Sequence, residues 1–126
     1  MSKKRILIVD DEESLGRAMK LNLEETGQYE VRTESRGSKA LMAVHEFHPD
    51  LVILDVIMPD MDGADIEKQF EQDDIAKEVP IIFLTAIATK DDTKDNGTMI
   101  GGRFVIAKPV SIDKLIASIE ERLRKN

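Results

Sequence analysis

Residues Leu51–Gly63 read LVILDVIMPDMDG: an apolar strand that closes on a carboxylate, Asp55, followed by a loop that turns on Pro59 and Gly63. An apolar run without polar alternation is the mark of a strand covered on both faces. A carboxylate at the end of such a strand is costly to bury unless something is there to meet it.

Three other stretches share the form: RILIVD (Arg5–Asp10), PIIFLTA (Pro80–Ala86) and RFVIAK (Arg103–Lys108). A fourth, YEVRTE (Tyr29–Glu34), alternates apolar with polar and so belongs at a sheet edge. Helical patterns lie between them. Leu15, Met19 and Leu23 space as the inner stripe of one helix, which Gly27 can end; Ala40, Leu41, Val44 and Phe47 do the same before Pro49. In the last helix Ser111 is a natural N-cap, and Leu115, Ile116, Ile119 and Leu123 repeat at helical spacing, with cations near the C-terminus where they suit the dipole. The weak segment is IATKDDTKDNGTMIGG (Ile87–Gly102), where Asn96-Gly97 interrupts any helix; a short or mobile helix is expected there. Strands alternating with helices predict an α/β fold, a doubly wound five-stranded parallel sheet with right-handed crossovers and helices on both faces.

Composition sets the outer limits. With 126 residues, 41% of them hydrophobic, one compact domain over residues 1–126 is expected and a second has no room. There is no cysteine, which removes disulfides and thiolate metal sites and allows an intracellular setting. The start, MSKKRILIVDDEE, has too short an apolar run for a secretion signal, and no stretch approaches the roughly 20 apolar residues of a membrane helix. A formal net charge of -7 argues against direct nucleic-acid binding and for cations or basic partners.

In a parallel sheet of this kind, ligands bind beyond the carboxyl ends of the strands. The polar residues that interrupt the apolar runs sit at those ends: Asp10 and Asp11, Asp55, Thr85 and Lys108. Singly, each has an ordinary explanation as a helix cap, a loop-forming acid, a strand-end hydroxyl or a surface turn. Together, three acids, a hydroxyl and an ammonium at one sheet edge describe a reaction site. Clustered carboxylates raise one another's pKa unless a cation sits among them. Two or three carboxylate oxygens completed by water suit magnesium better than calcium. A carboxylate can also attack phosphorus to give an acyl phosphate, a transfer that requires mainly positioning and neutralisation of charge. Asp55, in the middle of the sheet with apolar walls behind it, is the best nucleophile.

The chain resembles the response-regulator receiver domain of bacterial two-component signalling, carried by ILIVDDE (Ile6–Glu12), DLVILDVIMPDMDG (Asp50–Gly63), PIIFLTA and AKP (Ala107–Pro109). The resemblance implies a flavodoxin-like sheet of order 2-1-3-4-5. It implies that Asp10, Asp11, Asp55 and the backbone carbonyl of Ile57 hold Mg2+, that Asp55 is the phosphoacceptor, and that Thr85 and Lys108 meet the phosphoryl group. Lys108-Pro109 would be a cis peptide. The partner would be a histidine kinase or histidine phosphotransfer protein in the cytoplasm, with an output partner unspecified and room for a phosphorylation-dependent dimer. The chain would assist its own phosphorylation and dephosphorylation without being an enzyme. Two alternatives stand beside this: an aspartyl-phosphate hydrolase of the haloacid dehalogenase type, which generally has a second Asp where Ile57 stands, and a non-phosphorylated interaction module, which usually has lost an acid or the lysine. The sequence departs from the family pattern on the output side. Val105 replaces the usual aromatic switch residue, neighbouring Phe104 should point to the other face, and Val110 follows the Lys-Pro pair. Ile57 and Ile87, each two residues beyond Asp55 and Thr85, are expected to control access of water to the site.

Overall fold

The apolar runs form strands, β1 (Lys4–Val9), β2 (Tyr29–Glu34), β3 (Leu51–Asp55) and β4 (Ile81–Thr85), joined by a short β5 (Thr98–Ile100) and by β6 (Arg103–Ala107). The helices are α1 (Glu13–Glu25), α2 (Ala40–Phe47), α3 (Gly63–Glu71) and α4 (Ile112–Arg124), with 3-10 turns at Gly37–Lys39 and Ala76–Glu78. The computed structural model describes residues 2–86, 98–100 and 103–124.

The strands lie in the order β2-β1-β3-β4-β6-β5. Every pairing from β2 across to β6 is parallel. The five strands read from the sequence therefore stand as 2-1-3-4-5, the fifth being β6. Side-chain alternation divides the core in two. Ile6, Ile8, Ile53 and Phe104 face α1 and α4 through Leu23 and Ile119. Leu7, Val52, Leu54, Phe83 and Val105 face the other way, with Val44 of α2 and Ile66 and Phe70 of α3. A one-residue slip would exchange the two sets, so the register is strongly specified. The same alternation places Val105 and Phe104 on opposite faces, as expected.

Helix ends follow local chemistry. Gly27 has φ 77° and its N–H donates to Glu24 O at 3.0 Å, closing α1. At α2 the cap is His48, with φ 53° and its N–H on Val44 O at 2.9 Å; Pro49 only follows it. The Asp62 side chain accepts the Asp65 N–H at 3.0 Å to start α3, and Ser111 Oγ accepts the Lys114 N–H at 3.2 Å to start α4.

One expectation is corrected. Within the segment 87–102, where a short helix was expected, residues 98–100 form β5, antiparallel to β6 with Ile100 paired to Arg103. The two residues between that pair in the sequence are both glycine, the dipeptide that favours a two-residue hairpin connection. The remaining residues of the segment lie outside the described residues.

The loop after β3 is tied to the turn before α2. Asp60 accepts the N–H groups of Gly37 at 3.2 Å and Ser38 at 3.1 Å. This close approach depends on residue 37 lacking a Cβ, which would lie 2.6 Å from Met61 O and 2.9 Å from Ile66 Cδ1. Gly37→Ala is therefore expected to cost about 1–3 kcal/mol by overpacking, read as a lower urea midpoint with an unchanged slope; a cost under about 0.5 kcal/mol, the usual scatter of surface substitutions, would show that the loop simply yields.

Candidate functional site

Four strands deliver the site. Asp10 follows β1, its N–H donating to Glu34 O at 3.0 Å and so continuing the β1–β2 pairing by one residue. Its Oδ1 accepts the Glu12 N–H at 2.9 Å, which shapes the entry to α1 and leaves Asp11 on the exposed side. Asp55 is the last residue of β3, opposite Leu84. Beyond it the chain turns sharply: Val56 N–H donates to Leu84 O at 3.0 Å and Gly63 N–H to Val56 O at 2.8 Å. A Cβ on Gly63 would come within 3.2 Å of Asp55 O, so glycine lets the start of α3 close up behind the acid. Met58 is buried and pins the loop into the core, whereas Ile57 is 59% exposed, with its N–H directed at Asp55 Oδ1 at 3.4 Å. Thr85 ends β4 buried, and its carbonyl accepts the Lys108 N–H at 2.9 Å, which anchors Lys108 to the same edge. The Lys108-Pro109 peptide is cis.

The side chains converge on Lys108, whose side chain is 11% exposed. Its Nζ lies 2.9 Å from Glu12 Oε1, 3.0 Å from Asp10 Oδ2 and 3.3 Å from Asp55 Oδ2. Asp10 Oδ2 is fully enclosed and, among the described residues, accepts no well-aligned hydrogen bond, so the ion pair with Lys108 meets its charge there. For Lys108, burial pulls the ammonium pKa down, but the carboxylates of Glu12, Asp10 and Asp55 outweigh it and hold it above the ordinary lysine range. Asp55 moves the opposite way for an acid. Burial first and the Asp10 charge second push its carboxyl up to about 6, with Asp11 adding to the rise and Lys108 opposing it. Among the described residues, three carboxylates share the Lys108 ammonium and Asp11 stands beside them, which leaves the site short of positive charge.

That shortage is the test of a metal at this edge. Asp10, Asp11 and Asp55 each offer an oxygen within 4.8 Å of the others. An ion with bonds of about 2.0–2.1 Å to oxygen spans about 4 Å between opposite ligands, so small adjustments bring the three together. Hard oxygen donors in this number, with room for water at exposed Asp11, fit a magnesium-sized cation.

The receiver-domain family model matches residues 6–120. The chain belongs to the response regulator receiver domain family. Curated relatives include the alkaline phosphatase synthesis transcriptional regulatory protein PhoP of Bacillus subtilis, 38% identical over 98% of this chain and 50% of its own length. Another is the DNA-binding response regulator MtrA of Mycolicibacterium smegmatis, 38% identical over 98% of this chain and 52% of its own length. The receiver chain thus spans about half the length of the curated relatives it matches. Among solved structures, the chemotaxis protein CheY4 of Vibrio cholerae superposes with a TM-score of 0.80 at 28% identity, over 96% of this chain and 99% of that one.

Of the residues singled out from the sequence, Asp10, Asp11, Asp55, Thr85 and Lys108 come together in the receiver. Ile57 lies at the mouth, and Ile87 lies outside the described residues. Two participants escaped sequence reading. Glu12, at the N-cap position of α1, makes no side-chain cap and instead meets Lys108. Asp60, not singled out in the sequence, clamps two backbone N–H groups in the turn before α2.

The raised carboxyl of Asp55 gives a prediction with a definite sign. A carboxyl whose pKa rises from 3.8 unfolded to about 6 folded destabilises the native state when ionised; the penalty is full above pH 6 and fades as pH falls from 6 towards 4. In chelator at pH 7.5, Asp55→Asn should therefore be more stable than the wild type by about 2–3 kcal/mol, or roughly 5–10 °C in Tm, and the gap should close by pH 4. Millimolar magnesium should raise the wild-type Tm and leave the variant's nearly unchanged. A wild type that is more stable than the variant at pH 7.5 in chelator would refute the charge shortage.

Proposed function

We propose that the chain is the phosphoryl-accepting switch of a two-component phosphorelay. Asp55 takes a phosphoryl group from a phosphohistidine on a histidine kinase or a histidine phosphotransfer protein, and the modified site alters an output face that regulates a partner protein or domain. The observation that carries this reading is the buried Asp55 carboxylate at the end of the central strand, sharing Lys108 with Asp10 beside exposed Asp11.

The chemistry follows from the residues. An Asp55 oxygen attacks phosphorus as the bond from phosphorus to the imidazole nitrogen breaks; the imidazole leaves neutral, its other nitrogen bearing the proton, and an acyl phosphate remains. Lys108 approaches the phosphoryl oxygens from one side and stabilises their charge. Thr85, anchored on β4 beside Lys108, follows the phosphoryl group with its hydroxyl. Magnesium held by Asp10, Asp11, Asp55 and the Ile57 carbonyl would supply the remaining positive charge against the phosphoryl oxygens. The chain assists its own phosphorylation and dephosphorylation and does not turn over an external ester, since Ile57 occupies the place of a hydrolase's second Asp. PhoP and MtrA are named as regulators of transcription and DNA binding and are about twice as long, which supports an output on transcription through a further domain or partner. The net charge of -7 makes that output indirect for these residues. With Val105 buried against the α2–α3 side, the switch works without the usual aromatic, through the backbone and Thr85, and self-association on phosphorylation is a route to output.

An acyl-phosphate donor with magnesium tests the reading directly. The wild type should gain one phosphoryl group by mass, labile to base and hydroxylamine, while Asp55→Ala gains none and Lys108→Ala still gains it but shows less conformational change by amide NMR. Modification of Asp55→Ala at the wild-type rate would place the acceptor elsewhere.

The lifetime of the signal rests on Ile57, whose exposed apolar side chain beside Asp55 offers no group to orient an attacking water. Ile57→Asn should lose its phosphoryl group faster, by roughly tenfold if about 1.4 kcal/mol of barrier is removed. Equal or slower loss at constant magnesium would show that this side chain does not control access of water.

A further inference from the structure

Glu12 occupies the N-cap position of α1 and makes no side-chain cap. Its backbone is held by Asp10 and its carboxylate, 60% exposed, reaches across 96 residues of sequence to Lys108 Nζ at 2.9 Å, the shortest of the three ion pairs that nitrogen makes with carboxylates. The contact to Asp55, at 3.3 Å, is the longest. An ammonium has three N–H donors, and here three carboxylates already surround them. A phosphoryl group on Asp55 adds oxygens and further negative charge on the side where Lys108 is held least closely. The Asp55 contact is exchanged for phosphoryl oxygens, and for the ammonium to turn fully towards them one of its two other carboxylate partners has to loosen. Asp10 Oδ2 is enclosed and, among the described residues, accepts no well-aligned hydrogen bond, so drawing Lys108 away from it costs more than breaking a pair at the rim. Glu12 stands at the rim, where water can replace the ammonium, and an exposed pair is the least costly to break.

Resting on the phosphoacceptor reading above, we propose that Glu12 is a positioning residue that acts through Lys108: it holds the ammonium at the rim in the resting state and releases it to the phosphoryl group when Asp55 is modified. Glu12 thereby sets the balance between the two states without touching the reacting atoms.

Beryllofluoride, which adds to a carboxylate as a stable phosphoryl mimic, reads that balance without hydrolysis. Its affinity is measured by calorimetric titration at fixed magnesium for the wild type, Glu12→Gln, Lys108→Ala and the double variant, with folding of each checked by circular dichroism. Glu12→Gln should bind roughly two- to fivefold tighter, the worth of an exposed ion pair, and the gain should vanish in the Lys108→Ala background. Glu12→Asp, which keeps the charge but is shorter by one methylene, should behave like Glu12→Gln. The same gain in both Lys108 backgrounds would mean only a general charge effect and would overturn the proposal, as would an unchanged or weaker affinity of Glu12→Gln. Should the wild type take up no beryllofluoride, or Asp55→Asn take up as much, the phosphoacceptor reading fails and the proposal with it, a result distinct from the other two.

Discussion

The structure is organised around a deficit: among the described residues, carboxylates are buried at the end of a parallel sheet with too little positive charge to match them. Asp10 and Asp55 are 2% and 4% exposed, and a buried carboxylate without a partner is among the least favourable groups a fold can contain. Lys108 meets part of the demand and is itself buried by doing so. The deficit left over is what would suit the edge to a small hard cation. Stability is thus given up at this end of the sheet and recovered from the two apolar layers that sandwich it.

The scaffold holds this arrangement by backbone more than by side chains. Lys108 is fixed to Thr85, Val56 to Leu84 and Asp10 to Glu34, each by a main-chain hydrogen bond just beyond the last paired residues. The Asp60 clamp ties the β3 loop to the start of α2. Strand register therefore sets where the carboxylates stand, and register is enforced by the apolar side chains on both faces. Changes in distant core residues reach the site through that register.

Much of this was legible from the chain itself. The bounds of β2 and β3 match the sequence reading because in both a hydropathy pattern ends where the strand does. The convergence of Asp10, Asp11, Asp55, Thr85 and Lys108 was legible because parallel strands bring their carboxyl ends to one edge. Glu12 was not singled out because its partner is 96 residues away, and no local pattern points to such a pair. His48 was passed over for Pro49 because the left-handed cap of α2 is made by a residue with no strong signature for it. The edge strand β5 was read as part of a weak helix because three residues are too few to display a period.

Lys108 lies 53 residues beyond Asp55 and 96 beyond Glu12 in the chain. A ribosome making the protein from its N-terminus therefore releases every carboxylate of the cluster before the Lys108 ammonium that meets three of them. The nascent chain can pair β1, β2 and β3 early, but their shared end stays electrostatically unfinished until β6 has emerged and docked against β4. Closure of the site is accordingly bound to a contact that spans 96 residues, the kind that topology makes slow, and a fragment that stops short of β6 carries the repulsion without the remedy.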